Sequence, residues 1–167
     1  MGAATLESEF GNYRLVDKDN PMKIRQLDVG DFDGWLKLYE IYAQHYKVEL
    51  SPDGIKTSWG WLMDENHPTK GIVAGHDNEL IGLAHYRAMP SPLRGENIGF
   101  IDDIVVAPSA RGMGAAEQLI NAVKEEGQKS GWKIIRWITR DNNYRARAVY
   151  DKVSEKSDWN VYEMKCD

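Results

Sequence analysis

Two short stretches of the sequence contain residue types suited to chemistry, and they follow each other closely. Asp102-Asp103 is a pair of adjacent carboxylates, and Arg111-Gly112-Met113-Gly114 follows a β-branched run and Pro108. Glycines let a backbone approach a ligand closely, and a helix that starts here presents unpaired N–H groups and the positive end of its dipole. Arg111 adds a fork of donors. The second stretch is therefore predicted to be a cradle for phosphate oxygens.

Other known phosphate cradles fit these residues less well. A P-loop needs Gly-Lys-Ser or Gly-Lys-Thr after the glycines, and a dinucleotide fingerprint needs a third glycine and an acidic residue about 20 positions further on. Residues 111–116 read RGMGAA, and neither condition is met. The cradle is therefore interpreted as a different kind of phosphate site.

Residues 111–116 resemble the Gln/Arg-x-x-Gly-x-Gly/Ala signature of the GNAT superfamily of N-acetyltransferases, whose loop wraps the pyrophosphate of acetyl-CoA. A second signature of that family, Asn-x-x-Ala-x-x-Leu-Tyr, resembles residues 143–150, which read NYRARAVY. The resemblance runs from about residue 22 to the C-terminus and is clearest over 100–152. It is nearest to the subgroup of yeast histone and polyamine acetyltransferases, which implies acetyl-CoA as donor and a homodimer formed through C-terminal strands.

The resemblance implies a base and an acid. An alkyl ammonium titrates near about 10.4, so a carboxylate must take its proton directly or through water. Asp102 matches the family's basic glutamate, with Asp103 beside it; on a regular strand the two point to opposite faces unless a bulge intervenes. The alternative is an ion-paired strand end. Tyr150 is the implied acid for the departing sulfur, or else a half-buried core tyrosine.

The resemblance also implies which residues hold acetyl-CoA: the strand after the aspartates, whose backbone N–H groups would polarise the thioester, the cradle, and the start of the last helix. They are Ile104, Val105, Val106, Arg111, Gly112, Met113, Gly114, Ala115, Ala116, Asn143 and Ala146. Asn143 could also simply cap its helix. His45, His85 and Tyr86 could touch the acceptor, although a lone histidine is more often surface or core. No metal site is expected.

Where many relatives have Gly-Phe shortly after the tyrosine, this chain has Val153-Ser154-Glu155, so the end of the last helix departs from the family pattern. A competing interpretation of the whole chain is a non-catalytic acyl-CoA sensor or interaction module of the same fold. Catalysis is favoured because Asp102 and Tyr150 both stand at expected positions.

Periodicity predicts the elements that position these residues. Strands are expected at 23–27, 71–75, 80–89, 133–139 and 159–164 and before the cradle, with a loop at 90–95; helices are expected after Asp31 or Asp33, at 55–63, from the cradle to Gly131, and at 146–153. The first helix has Trp35, Leu38, Tyr39, Tyr42 and Tyr46 on one face, for core packing or for an acceptor pocket. The predicted class is α/β (α+β): a mixed, mostly antiparallel sheet of six to seven strands with helices on both faces.

Composition limits the classes of function. A chain of 167 residues is most simply one domain, here residues 22–167 after an N-terminal extension at 1–21. A net charge of −5 suits cationic acceptors, namely small amines, polyamines, amino acids or lysine side chains, rather than nucleic acid. No apolar run is long enough to span a membrane. A single cysteine and no signal-peptide pattern indicate a cytoplasmic protein.

Overall fold

The computed structural model describes residues 21–166, so nearly all of the predicted extension at 1–21 lies outside the described residues. The described part contains nine main elements and two short 3₁₀ turns, at Val29–Asp31 and Pro108–Ala110. The elements are β1 (Lys23–Gln26), α1 (Phe32–Tyr46), α2 (Pro52–Met63), β2 (Thr69–His76), β3 (Glu79–Ser91), β4 (Glu96–Val106), α3 (Ala115–Lys129), β5 (Ile135–Trp137) and α4 (Tyr144–Val153).

Short polar side chains fix where the first helices begin. Asp28 caps the 3₁₀ turn by accepting a hydrogen bond from the Gly30 backbone N–H at 3.0 Å. Asp31 stands at the N-cap position of α1, as predicted, but makes no cap bond there because its carboxylate binds Arg25 at 2.6 Å. Ser51 caps α2, where its Oγ accepts a backbone N–H at 3.0 Å.

The sheet has the strand order β1-β2-β3-β4-β5. Neighbouring strands are antiparallel except β4 and β5, which are parallel and are joined through α3. The turn between β2 and β3 places Asp77 and Asn78 at positive φ, as the favoured two-residue hairpin turn requires. The prediction of a mixed, mostly antiparallel α/β fold is confirmed.

Each face of the sheet is covered by its own helices. The face under α1 and α2 buries Trp35, Leu38, Leu62, Val73, Leu83 and Val105. The face under α3 buries a larger, mostly aliphatic cluster, including Ile72, Ala84, Ile101, Leu119 and Val123. On this second face Trp132 lies between β4 and α3, so close to Gly99 that a Cβ there would lie 2.6 Å from the indole. Helices on both faces were predicted.

The predicted strand count was wrong: the described residues form five strands, not six or seven. Residues 159–164 alternate in sequence but form no strand, and Trp159, Tyr162 and Met164 are largely exposed. The Arg136 guanidinium of β5 lies over the Trp159 ring, 5.5 Å from its centroid. Alternation describes a half-buried strand, but a strand also needs a neighbour that pairs with its backbone.

The predicted loop at 90–95 is shorter than expected. Pro90 and Ser91 are the last residues of β3 and lie opposite Asn97 and Glu96 of β4. Proline is tolerated at such a site because it lies at the very end of the strand, where the loss of one N–H costs little pairing. The connection is thereby reduced to residues 92–95, and the β3–β4 hairpin is the longest pairing of the sheet.

Candidate active site

A β-bulge places both aspartates on the same face of the sheet. His85 lies opposite Asp103 and Tyr86 lies opposite Ile101, so Asp102 is an extra residue on β4. Ile101 and the residue after the pair, Ile104, both pack into the cluster under α3. The two carboxylates therefore face α1, which a regular strand would not allow. The sequence left this open, because it depends on the register with β3.

Asp102 is held by an arginine on the adjacent strand. Arg87 Nε donates to both carboxylate oxygens, at 3.0 and 3.2 Å. The guanidinium also lies over the Phe100 ring, 5.1 Å from its centroid. Burial raises the pKa of the Asp102 carboxyl above its usual range, and Arg87 opposes that effect. The predicted alternative of an ion-paired strand end therefore describes part of the environment of Asp102.

Asp103 ends a chain of two hydrogen bonds that begins in the core. Trp35 Nε1 donates to His85 Nε2 at 2.9 Å, and His85 Nδ1 lies 2.8 Å from Asp103 Oδ2. Trp35 has no exposed surface and His85 is 4% exposed. The sequence named His85 only as one possible acceptor contact. The alternation of side chains along β3 could have indicated this arrangement, since it places His85 and Arg87 on the same face of the sheet.

Three tyrosines of α1 form a wall beside Asp103. Tyr39, Tyr42 and Tyr46 are half-buried, with ring centroids 6.4 Å apart for the first pair and 4.8 Å for the second. Burial raises the pKa of Tyr42, and the Asp103 carboxylate raises it further. The core-packing interpretation of the aromatic stripe applies to Trp35 and Leu38, which are buried, while the three tyrosines lie beside the carboxylates.

Tyr150 lies on α4 and packs edge to face against Trp137 of β5, with centroids 5.4 Å apart. Burial raises its pKa to about 12, and Tyr46 adds to the rise. The tyrosine wall therefore extends from Asp103 toward Tyr150. Ala146 is half-buried on the same helix. Asn143 stands at the N-cap of α4 without a side-chain cap bond, and its amide nitrogen donates to Thr139 Oγ1 at 3.2 Å.

The glycine cradle precedes α3 rather than forming its first turn, since the helix begins at Ala115. Gly112 and Gly114 have φ values of 83° and 80°, which favour glycine, and a Cβ on either would meet nothing within 4 Å. Gly114 is the N-cap and makes no side-chain cap bond, and Arg111 is exposed. Open space, an uncapped helix start and a free arginine together fit a phosphate group. Met113, Ala115 and Ala116 complete this segment.

Among residues 21–166, no strand pairs with β4 beyond the bulge on the edge that faces β5. β5 pairs with β4 only at Gly99, Phe100 and Ile101. Residues 102–106 therefore have an open backbone edge on that side, and Ile104, Val105 and Val106 lie along it. The structure thus brings one continuous path together, from the cradle along this edge to the two aspartates. Such an edge can accept hydrogen bonds from a ligand or donate to it.

The described residues also contain a cavity outside the candidate active site. A cavity of about 680 Å³ lies at the other end of α1, lined in part by Lys23, Lys37, His76 and Glu79, and it includes none of the predicted site residues. Within residues 21–166, no cluster of side chains has the composition of a metal site. No helix in the same range is both long and apolar enough to cross a membrane.

Two N-acetyltransferases are similar to this chain in sequence. The chain is 26% identical over 142 residues to the D-amino-acid N-acetyltransferase HPA3 of Saccharomyces cerevisiae, covering 84% of this chain and 88% of that protein. It is 26% identical over 137 residues to the uncharacterized N-acetyltransferase YhfO of Bacillus subtilis, covering 82% and 91%.

Solved structures share the fold. The aminoglycoside N-acetyltransferase AAC(6')-Iy in complex with CoA superposes with a TM-score of 0.75 at 22% identity, covering 92% of this chain and all of that chain (100%). A ribosomal-protein-alanine N-acetyltransferase from Brucella melitensis gives a TM-score of 0.72 at 23% identity, covering 87% and 99%. The sequence profile of the acetyltransferase (GNAT) family matches residues 35–154. The chain is therefore a member of the GNAT acetyltransferase family, as its two signatures predicted, and the prediction of an N-acetyltransferase is confirmed.

Proposed function

We propose that this protein transfers the acetyl group of acetyl-CoA to the primary amine of a cationic acceptor, by direct transfer while both substrates are bound. The observation that carries the proposal is the continuous path from the glycine cradle, along the open edge of β4, to two carboxylates on one face. A phosphate-bearing donor and an ammonium-bearing acceptor could meet at the bulge.

Residues of the cradle and of the open edge are proposed to hold the donor. Arg111 and the backbone of 112–116 would bind the pyrophosphate, where the start of α3 favours negative charge. Backbone groups of Ile104, Val105 and Val106 would bind the thioester end, and Asn143 and Ala146 would border its arm. When bound, acetyl-CoA supplies an activated acetyl group and a thiol leaving group.

Two proton transfers are assigned to side chains of the site. A carboxylate of the Asp102–Asp103 pair takes one proton from the acceptor's ammonium, which leaves a free amine that can attack. The Tyr150 hydroxyl gives a proton to the departing sulfur and regains one from the acylated nitrogen through solvent. Because its pKa is raised to about 12, Tyr150 remains protonated at neutral pH and is available as the acid.

The acceptor is proposed to be cationic because of what surrounds the carboxylates. Tyr39, Tyr42 and Tyr46 present half-buried rings next to Asp103, and aromatic faces attract ammonium groups. Small amines, polyamines, amino acids and lysine side chains all meet this description. HPA3 is named for D-amino acids, so amino acids of both hands belong among the first acceptors to test.

The experiment is thiol release from acetyl-CoA against spermidine, D- and L-amino acids, aminoglycosides and a histone-tail peptide. Turnover with one of these would identify the acceptor class. Tyr150→Phe is expected to lower kcat by about 100-fold, since general acid catalysis contributes on that scale. Tyr144→Phe is the matched control, because Tyr144 lies on the same helix and is 75% exposed.

Tight CoA binding without thiol release across the panel would contradict the proposal and favour an acyl-CoA sensor. Equal activity of Tyr150→Phe and the wild type would remove Tyr150 from the mechanism. CoA affinity, measured by calorimetry on each variant, separates a loss of chemistry from a loss of folding.

We further propose a homodimer, located in the cytoplasm. The free edge of β5 and the exposed Trp159, Val161, Tyr162 and Met164 nearby would be covered by the C-terminal segment of a second copy. An unpaired strand edge is a template for another strand. Solution scattering should give twice the mass of one chain, and a monomeric mass would contradict the proposal.

A further inference from the structure

We propose that Asp103, rather than Asp102, takes the proton from the acceptor's ammonium. Trp35 and His85 are positioning residues that orient the Asp103 carboxylate for this step through two successive hydrogen bonds. The inference rests on the proposed acetyl transfer and assigns its base to one of two adjacent carboxylates. It departs from the match along the sequence, which places the family's base at Asp102.

The two carboxylates differ in the partners they already have. Both oxygens of Asp102 accept from Arg87 Nε, at 3.0 and 3.2 Å, so a permanent cation offsets the charge of Asp102. Asp103 instead has the imidazole of His85 2.8 Å from its Oδ2 and the hydroxyl of Tyr42 as partners, and neither of these is a permanent cation. The side chain of Asp103 is 20% exposed and that of Asp102 is 31% exposed, so both carboxylates can be reached and only their partners distinguish them. Asp103 is therefore better able to attract and deprotonate a second cation.

Asp103 is also the carboxylate that faces the tyrosine wall. Burial is the largest cause that raises the pKa of Tyr39, and the Asp103 carboxylate is the second. Asp102 raises the pKa of Tyr39 less than Asp103 does. For Tyr42 the Asp103 carboxylate contributes and Asp102 does not. An ammonium placed against these rings would therefore meet Asp103 first.

Trp35 determines which form of His85 can exist. An indole N–H only donates, so His85 Nε2 must be an acceptor and must lack a proton. The remaining ring proton then lies on Nδ1 and is donated to Asp103. A doubly protonated imidazole would set two donors against each other inside a site from which water is excluded. Trp35 therefore holds His85 neutral, and a neutral His85 does not cancel the charge of Asp103.

The charged groups around His85 include two carboxylates, whose effect opposes that of Trp35. The charged and titratable groups near His85 are Asp103 and Asp102 on β4, Arg87 on β3 and Tyr39 on α1. The residue opposite His85 on β2 is Gly71, which carries no charge. The two aspartates would favour an imidazolium, so the donor from Trp35 is the element that prevents one.

The step is a single proton transfer. One N–H bond of the acceptor's ammonium breaks, and its electron pair stays on nitrogen as the lone pair of a free amine. The proton binds an Asp103 carboxylate oxygen and is later released to solvent. His85 keeps its Nδ1 proton throughout, so it positions the base and does not itself exchange a proton with the substrate.

The first test compares Asp103→Asn with Asp102→Asn on the best acceptor found. Asp103→Asn is expected to lower kcat/KM about 100-fold. Asp102→Asn is expected to lower it about tenfold or less, because that residue shapes the site through Arg87. Unchanged CoA affinity in both variants shows that the fold is intact. A larger loss in Asp102→Asn would overturn the assignment while leaving acetyl transfer established.

The second test concerns the positioning residues. An imidazole ordinarily takes a second proton near about pH 6.5. In Trp35→Phe, the ratio of variant to wild-type kcat/KM is expected to fall several-fold further as the pH is lowered from about 8 to about 6. Trp59→Phe is the matched control, since Trp59 packs on Trp35 at 5.1 Å within the same cluster. A ratio for Trp35→Phe that does not change with pH would mean that Trp35 is merely structural.

A third variant distinguishes packing from protonation. His85→Asn keeps an amide donor near the position of Nδ1 and cannot take a second proton. Combined with Trp35→Phe, it should abolish the extra loss at low pH. If the loss persisted in the double variant, His85 would not be its source and the positioning role would be wrong.

One readout needs no turnover and so separates this inference from the proposed function. The ¹⁵N chemical shifts of the His85 ring in the wild type should show a bare Nε2 and a protonated Nδ1 at neutral and mildly acidic pH. The same ring in Trp35→Phe should move toward the doubly protonated form in acid. A protonated Nε2 in the wild type would overturn the inference, whether or not any acceptor is acetylated.

Discussion

The two faces of the sheet are built from the same strands but bury different chemistry. Under α3 the buried side chains are largely aliphatic, and Gln26 Nε2 donates a hydrogen bond to the Tyr86 hydroxyl at 3.2 Å. Under α1 the buried cluster includes Trp35, and beside it lie His85, Arg87 and two carboxylates. The bulge at Asp102 accounts for this difference between the faces. It turns an additional carboxylate toward α1, while the packing under α3 continues without interruption.

This difference implies that stability and catalysis can be altered separately. Substitutions under α3 should change the free energy of unfolding and leave the chemistry of the folded fraction intact. Substitutions of the polar side chains under α1, namely Arg87, Asp102 and Asp103, should change the chemistry more than the free energy of unfolding. The separation should fail at the cradle, because it leads into α3 and is also the proposed binding site of the donor.

The largest effect is expected for Leu119→Ala, in the middle of α3. Leu119 has no exposed surface, and its removal leaves a cavity against the sheet. The free energy of unfolding should fall by about 2–5 kcal/mol. Urea denaturation measures the loss, and Gln118→Ala, at an exposed neighbouring position, should lose far less. A change in the kcat of the folded fraction would contradict the separation of the two faces.

A smaller effect is expected for Gly114→Ala, with Gly131→Ala as its matched control. Both glycines have positive φ, 80° and 75°, and at both a Cβ would meet nothing within 4 Å. Each variant should therefore lose about 1–2 kcal/mol of stability for the backbone alone. Only Gly114→Ala places its methyl in the cradle, so only this variant should bind CoA more weakly, by about tenfold. Equal CoA affinities would show that the cradle does not hold the donor.

The smallest effect is a pH dependence caused by Asp102. Its pKa is raised in the folded protein, so the folded state binds the proton more tightly than the unfolded chain does. The unfolding free energy of the wild type minus that of Asp102→Asn should therefore fall as the pH rises through the interval just above about 4. The change is small because Arg87 and solvent offset burial. Denaturant titrations of both proteins at several pH values test the sign, and a rising difference would contradict it.

The parts of the site that the sequence predicted are those set by local chemistry. The cradle could be identified because glycines, an arginine and a helix start stand within six residues, and their backbone conformation depends little on distant partners. Tyr150 and Asn143 were placed by a second short pattern on one helix.

The parts that could not be predicted depend on pairing between distant segments. Which face Asp102 and Asp103 occupy depends on the register of β3 against β4, and a one-residue bulge decides it. The hydrogen bond between Trp35 and His85 joins residues 50 positions apart. Residues 159–164 show a different error, since their alternation predicted a strand but they pair with no strand of the described chain.

The position of Trp132 limits where residues can be inserted into this protein. Because the indole lies against Gly99 on one side and Gly127 on the other, residues inserted between α3 and β5 would lift it out of the gap. The turn at 92–95 has no such restriction, since Leu93 is 92% exposed and a Cβ on Gly95 would meet nothing within 4 Å. Peptide tags and fluorescent labels should therefore be placed in that turn, at the far end of the β3–β4 hairpin from the cradle.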